Sequence, residues 1–202
     1  MKAIIRYLYT IALLMLLFLI STPSLGQVIY EAPEDKAVVY FVRTVKGGSG
    51  ILHGHEVFCE NGPIGILTWK NFIRYECDPG SQLFGIARRK PTYQQFVDAE
   101  LSAGKIYLIE VRHQFQGIRM EPVNPNSDLD RLDRIRSIVN SKGSIKAHKM
   151  GVKKDYYKKR IPESTIKNGL KWYPAYVEKG DVKQLQPDWF IEPEDLVVER
   201  SN

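Results

Sequence analysis

The stretch Ala37 to Arg43, AVVYFVR, decides the fold class. It is a continuous run of β-branched and aromatic residues, which is typical of a strand buried on both faces. Similar runs follow at short intervals, in the order HEVFCE, GIL, NFIRYEC, SQLFGIARR, QQFVDAEL, KIYLIEVRH and GIRMEPV. About eight short strands without a helix between them predict a mainly β fold, an antiparallel β-sandwich of immunoglobulin-like or transthyretin-like type.

The periodicity changes after Pro122. The segment SDLDRLDRIRSIVN offers Ser127 as a helix N-cap and an apolar face made of Leu129, Leu132, Ile135, Ile138 and Val139. The stretch from Gly169 onward is rich in aromatic residues and prolines, so it is too apolar for a free tail and should pack back onto the sandwich or the helix. We therefore predict a β-sandwich domain over residues 27–123 and a smaller helical and irregular extension over 124–202.

The first 26 residues have the three parts of a secretory signal peptide. Lys2 and Arg6 precede an uncharged apolar run from Tyr7 to Ile20, and a small-residue cleavage site ends at Gly26. The run is shorter than the roughly 20 residues of a comfortable membrane span, although an uncleaved anchor is the alternative. Because Gln27 occupies the first mature position, where a lipoprotein needs Cys, we expect an unlipidated protein in the periplasm or outside the cell.

Charge is distributed unevenly along the chain. The whole sequence carries a net charge of +6, and without residues 1–26 it has 27 basic and 23 acidic residues, a net charge of +4. Residues 27–123 are neutral, whereas Lys142 to Lys171 holds 10 basic residues against Asp155 and Glu163. Nucleic acid is not an expected partner of an exported protein.

The basic segment is a candidate contact with an anionic surface, either a membrane surface or an envelope protein. The residues that would make this contact are Lys149, Lys153, Lys154, Lys158, Lys159 and Arg160. The alternative is pairing within the protein, because the acidic residues Asp188, Glu192, Glu194, Asp195 and Glu199 follow later in the chain.

Four motifs occur in a characteristic order between residues 36 and 123: KAVVYFVR, VFCENGPIGIL, YECDPGSQLF and AELSAGKIYLIEVR. In order and spacing they resemble the bacterial exported family called domain of unknown function 2846. The resemblance implies a small β-sandwich in the cell envelope, often lipidated, with no assigned catalytic residues. The chain differs from that pattern in lacking the lipidation Cys and in carrying the long C-terminal extension.

Cys59 and Cys77 are the two cysteines of the chain. In the alternating pattern of their strands both side chains point inward. An exported protein meets an oxidising compartment, so the sequence favours a Cys59–Cys77 disulfide, with two buried free thiols as the alternative.

Catalytic and metal-binding roles have weaker support. His53 and His55 lie on one side of a strand-like segment with Cys59 four residues on, but a structural zinc site needs four ligands. His113 is distant in the sequence, and no signature joins it to Cys59 as a catalytic base. We therefore expect a non-enzymatic binding or structural module without a cofactor. The alternative is a metal-dependent or thiol-dependent enzyme that uses His53, His55, Cys59 or His113.

Overall fold

The computed structural model describes residues 31–44, 54–87, 95–114, 117–142 and 163–196. Within these ranges the chain is mainly β, as predicted, with a few helices toward the C-terminal side. The strands are β1 (Ala37–Arg43), β2 (His55–Cys59), β3 (Gly62–Leu67), β4 (Phe72–Cys77), β5 (Gly80–Ala87), β6 (Gln95–Leu101), β7 (Ile106–Gln114), β8 (Gly117–Pro122), β9 (Lys183–Leu185) and β10 (Phe190–Ile191). The helices are α1 (Leu129–Lys142), α2 (Glu163–Leu170), α3 (Tyr173–Glu178) and α4 (Pro193–Leu196).

The described strands form two open five-stranded sheets. Sheet A has the order β4, β1, β7, and both β8 and β10 pair with β7 along its remaining edge. Sheet B has the order β3, β2, β5, β6, β9. The predicted antiparallel arrangement was wrong for two pairs, because β1 with β7 and β6 with β9 are parallel. Each parallel pair is separated by a long stretch of chain, which supplies the crossover that parallel pairing requires.

The two sheets face each other across a shared apolar core. Phe41 of β1 meets Phe84 of β5 edge-to-face, with ring centroids 5.3 Å apart. Alternate residues of each strand enter this core, so Val97 and Ala99 of β6 point inward while their neighbours point outward.

Helices cover the outer face of each sheet. The outward residues of β1 pack against α1, so all seven residues of β1 are buried, which confirms the prediction of a strand buried on both faces. On the outside of sheet B, Phe58, Leu83 and Phe96 pack against α2 and α3. The described layers therefore follow the order helix, sheet, sheet, helix.

The apolar face of α1 was predicted correctly except at its first turn. Leu132, Ile135, Ile138 and Val139 are buried, but Leu129 is 60% exposed. The N-cap was predicted one residue too early, because the carbonyl of Asp128, rather than that of Ser127, accepts the first helical hydrogen bond, from the amide of Leu132 at 3.0 Å.

The described part of the C-terminal extension packs onto the sheets and also supplies a strand to each of them. β9 pairs with β6 in sheet B, and β10 pairs with β7 in sheet A, with residues 186–189 between them. The Tyr107 hydroxyl donates to the carbonyl of Pro187 at 3.0 Å and accepts from the amide of Ser102 at 2.9 Å. We call residues 183–191 the strap, because this short segment joins both sheets.

Candidate functional site

A concave site lies on the outer face of sheet B, beside α3. The two-residue period of β6 places Phe96, Asp98 and Glu100 on this face. Phe96 is covered by the helices, whereas Asp98 and Glu100 line an open cleft of about 360 Å³. The outer face of β6 thus changes from apolar to acidic where the helical cover ends.

Side chains from neighbouring elements complete the cleft. Glu60 follows β2, Tyr173 begins α3, and Gln184 and Gln186 come from β9 and the residue after it. Asp98, Glu100 and Gln184 stand on paired strands, which hold them at fixed spacing. We refer to this site as the acidic cleft.

Asp98 is the most connected residue of the acidic cleft. Its carboxylate accepts the Tyr173 hydroxyl, at 2.8 Å and 2.9 Å to its two oxygens, and the Nε2 group of Gln184 at 3.1 Å. Burial, and next this hydrogen bond to Asp98, raise the pKa of Tyr173 to about 12. The Tyr173 phenol is therefore protonated at neutral pH and acts as a donor.

The acidic cleft carries excess negative charge. Glu60, Asp98 and Glu100 form no ion pair with a lysine or arginine in the described part of the chain. Nor do the described residues contain a group of three or more His, Cys, Asp and Glu side chains arranged around one metal position. The three carboxylates are thus spread over the cleft, which suits an extended cationic group with several hydrogen-bond donors.

A second charged cluster lies under α1. The fully buried carboxylate of Glu110 on β7 accepts Nε of Arg131 at 2.8 Å and the hydroxyl of Thr44, and Arg134 and Arg112 lie 3.6 and 3.7 Å away. Two further carboxylates pair with Arg112 and Arg131, so three arginines meet three carboxylates and the charges are matched within the cluster. We interpret it as a structural tie between sheet A and α1 rather than a ligand site.

The predicted Cys59–Cys77 disulfide is absent, and both residues are buried free thiols. Cys59 belongs to β2 in sheet B and Cys77 to β4 in sheet A, so they come from opposite walls of the inter-sheet core. The Cys59 Sγ lies 3.4 Å from the hydroxyl of Tyr75 and 3.6 Å from the carbonyl of Gly62, while the Cys77 Sγ lies 3.9 Å from the carbonyl of Ala37. Each thiol thus has polar neighbours of its own.

The residues of the alternative enzymatic prediction are not brought together as a site among the described residues. His55 and Cys59 are both buried on β2. His113 lies on β7 opposite Ile118 of β8, in the other sheet. His53 lies outside the described residues, as does the side chain of His113.

The predicted signal peptide and the predicted anionic-surface contact both lie outside the described residues. This applies to residues 1–26 and to Lys149, Lys153, Lys154, Lys158, Lys159 and Arg160. Two of the acidic residues proposed to pair with the basic segment form ion pairs with other residues. Glu192 pairs with Lys105 at 3.1 Å, and Asp195 pairs with Arg136 at 3.7 Å. None of the helices in the described ranges has the length and apolar character that a membrane crossing requires.

The acidic cleft was not predicted from the sequence. The signal was present in FVDAE, where acidic residues at Asp98 and Glu100 continue the outward face of Phe96. The contribution of Tyr173 could not be read in the same way, because it comes from a helix 75 positions along the chain. Comparisons with family models, with curated proteins and with solved structures found no match to this chain.

Proposed function

We propose that this protein is an exported, non-enzymatic binding module whose acidic cleft binds an organic cation, such as an amine or guanidinium group of an envelope partner. The observation that carries the proposal is the set of three carboxylates, Glu60, Asp98 and Glu100, without a cationic partner among the described residues. A concave surface of one charge raises the local concentration of the opposite charge.

The size and lining of the cleft support an amine-bearing chain. A volume of about 360 Å³ is within the range of small-ligand sites. Carboxylates accept charge-assisted hydrogen bonds, and the amide oxygens of Gln184 and Gln186 can accept further ones. Amines and guanidinium groups supply several donors each, so they match a lining rich in acceptors.

Export is part of the same proposal and rests on the signal-peptide pattern of residues 1–26. The resemblance to the domain of unknown function 2846 family supports an envelope location, and the two facing sheets are compatible with the sandwich that it implies. An immunoglobulin-like or transthyretin-like type of sandwich is also part of this proposal. Mass spectrometry of the native protein should find Gln27 at the N-terminus, and an intact Met1 in the membrane fraction would contradict export with cleavage.

The binding proposal can be tested with tetralysine as the probe and the chain from Gln27 to Asn202 as the protein. Calorimetry at low salt should show binding of tetralysine and none of tetraglutamate. The variant Glu60→Gln/Glu100→Gln should bind tetralysine about three- to thirtyfold more weakly, since each exposed charge pair contributes about 0.3 to 1 kcal/mol. High salt should weaken binding further.

The matched control changes the same number of carboxylates elsewhere. Glu34→Gln/Glu178→Gln removes two exposed carboxylates outside the cleft and should leave tetralysine affinity within twofold of the unmodified chain. Equal losses in the two variants would show that net charge alone attracts the probe. Absence of tetralysine binding at low salt would refute the acidic cleft as a cation site.

A further inference from the structure

The helices α2 and α3 are held on sheet B by a small apolar contact. The buried residues of α2 are Ile166 and Gly169, and α3 has no buried residue. Their cluster has four buried apolar members among the described residues, Phe58, Leu83, Phe96 and Ile166, and the helices add Leu170, Tyr173 and Tyr176, which are only partly buried. Because stabilisation scales with the apolar area removed from water, these helices should be the most weakly docked layer.

Aromatic rings make most of this contact. Phe96 lies edge-to-face with Tyr173 and Tyr176 of α3, at centroid distances of 5.5 and 5.3 Å. Phe58 meets Phe96 at 6.4 Å and lies over Gly85, where a side chain would collide with its ring. Sheet B therefore presents a flat strip of Phe58, Leu83 and Phe96 beneath α2 and α3.

This apolar strip continues directly into the acidic cleft. Phe96 and Asp98 are successive outward residues of β6, and Tyr173 touches both, with its ring on Phe96 and its hydroxyl on Asp98. Asp98 also binds Gln184, which follows α3 in the chain. Asp98 thus holds α3 by a hydrogen bond at the boundary between the strip and the cleft.

The turn after α3 is suited to act as a hinge. Gly180 has φ +69°, in the left-handed region that glycine adopts readily, and among the described residues no atom beyond its chain neighbours lies within 4 Å of the position that a side chain would take. The amides of Gly180 and Asp181 donate to the carbonyls of Val177 and Tyr176 at 3.0 and 2.9 Å, so two backbone bonds close this turn on α3. Beyond it, Leu185 of β9 is anchored in the inter-sheet core. Rotation about Gly180 breaks the bond from Asp181 and moves α3 without displacing β9.

We propose that α2 and α3, residues 163–178, form a lid that opens as a unit while both sheets stay folded, and that the opened site binds an amphipathic cationic peptide. This inference rests on the proposed function, because it takes the acidic cleft as one half of the site. Opening joins the apolar strip to the cleft, so a ligand with an aromatic side chain beside lysine or arginine contacts both parts. In the closed form Tyr173 occupies this boundary, with a ring on Phe96 and a donor to Asp98, and so blocks it.

Native-state hydrogen exchange of the chain from Gln27 to Asn202 tests the lid. Amides of residues 163–178 should exchange through a local opening, faster than the amides of β1 and β7. Tyr173→Phe removes the hydrogen bond to Asp98 and should raise lid exchange about tenfold, leaving β1 unchanged. Glu178→Gln, an exposed change on α3, is the control and should leave lid exchange unaltered. Lid amides as protected as those of β1, or equal acceleration throughout the chain, would refute the lid.

Peptide binding tests the ligand class. The probes are tetralysine and Lys-Phe-Lys-Phe-Lys-Lys, which carry the same number of lysines. The phenylalanine-containing probe should bind more tightly, and the ratio of the two affinities should rise about tenfold in Tyr173→Phe and stay constant in Glu178→Gln. A ratio that does not change in Tyr173→Phe would overturn the amphipathic ligand, whatever the exchange result.

The two proposals fail separately. If tetralysine does not bind, the acidic cleft is not a cation site, while the exchange experiment still decides whether the lid opens. If tetralysine binds but lid exchange matches that of β1, the proposed function stands and the lid is refuted.

Discussion

Burial determines the chemistry of the Cys77 thiol. The apolar surroundings of Cys77, and next the nearby Cys59, raise the pKa of Cys77 to about 12. Burial is also the main reason why the pKa of Tyr75 is raised, and its hydrogen bond with Cys59 raises it further. Since the thiolate is the reactive form of cysteine, Cys77 should be inert in the folded protein.

Thiol titration checks this expectation. In the folded protein at pH 8, about one Cys77 in ten thousand would be a thiolate, so DTNB should react negligibly with it. In denaturant, without a reducing agent, two thiols per chain should react. Fewer than two reactive thiols in denaturant would show that the cysteines are oxidised after all.

Glu110 is a residue at which a single change should be strongly destabilising. Glu110→Ala leaves Arg131 without its closest carboxylate beneath α1, so we expect the free energy of unfolding to fall by about 3 kcal/mol. Asp133→Ala, which removes an exposed pair with Arg136 on the same helix, should lower it by less than about 1 kcal/mol. Urea denaturation measures both, and similar losses would mean that the Glu110 cluster contributes no more than a surface pair.

The alternation of inward and outward residues along a strand predicted which side chains are buried, but it did not predict which side chains they contact. Cys59 and Cys77 were expected to point inward, and both are buried. Their pairing could not be predicted, because a strand pattern does not show which sheet each strand joins or how the walls of the core are offset. The same limit hid the bond between Tyr173 and Asp98, which joins residues 75 positions apart.

At the scale of the element, α1 shows how context selects among apolar positions. Leu129 and Ile135 both fit the helical period, yet Leu129 is 60% exposed and Ile135 is fully buried. Leu129 lies in the first turn, and the face of the helix that contacts sheet A begins at Leu132.

This difference predicts unequal effects of two similar substitutions. Ile135→Ala should lower the free energy of unfolding by about 2–5 kcal/mol, since it leaves a cavity between α1 and sheet A. Leu129→Ala should change it by less than about 0.5 kcal/mol, as is usual at exposed positions. Thermal or urea denaturation of the two variants gives the comparison, and a large loss in Leu129→Ala would place the start of α1 against an apolar partner.

The long strands were predictable and the short ones were not. Residues 37–43 and 106–114 carry enough apolar residues to identify a strand by themselves. β9 and β10 have three and two residues, too few for any period to be recognised. Their pairing is decided by tertiary packing, through Leu185 in one core and Ile191 in another.

At the scale of the whole molecule, the strap supplies a strand to both sheets and buries side chains in two cores. It places Leu185 between the sheets and Ile191 between sheet A and α1. The cation of Lys105 lies 4.0 Å from the ring centroid of Phe190 and pairs with Glu192, which adds polar contacts at the edge of β7.

Removal of residues 183–202 should therefore unfold more than the extension. Two cores lose buried side chains at once, so we expect the truncated chain to lose its cooperative thermal transition rather than to melt a few degrees earlier. Near-ultraviolet circular dichroism and calorimetry measure this. Lys183→Ala/Gln186→Ala, at exposed positions of the strap region, is the control and should keep the transition. A truncated chain that melts cooperatively would show that the strap is dispensable.

The position of the strap in the chain also sets an order of events during synthesis. Both sheets take a strand from residues 183–191, which the ribosome adds after every other strand of either sheet. β1 must likewise wait for β7, its parallel neighbour, from which it is separated by four strands of sheet B and by β4. A nascent chain that still lacks the strap cannot complete either sheet, so we expect it to stay unfolded until nearly all of it has been made. Such delayed folding would suit the export that we propose, because a translocation channel threads a chain through a membrane in extended form.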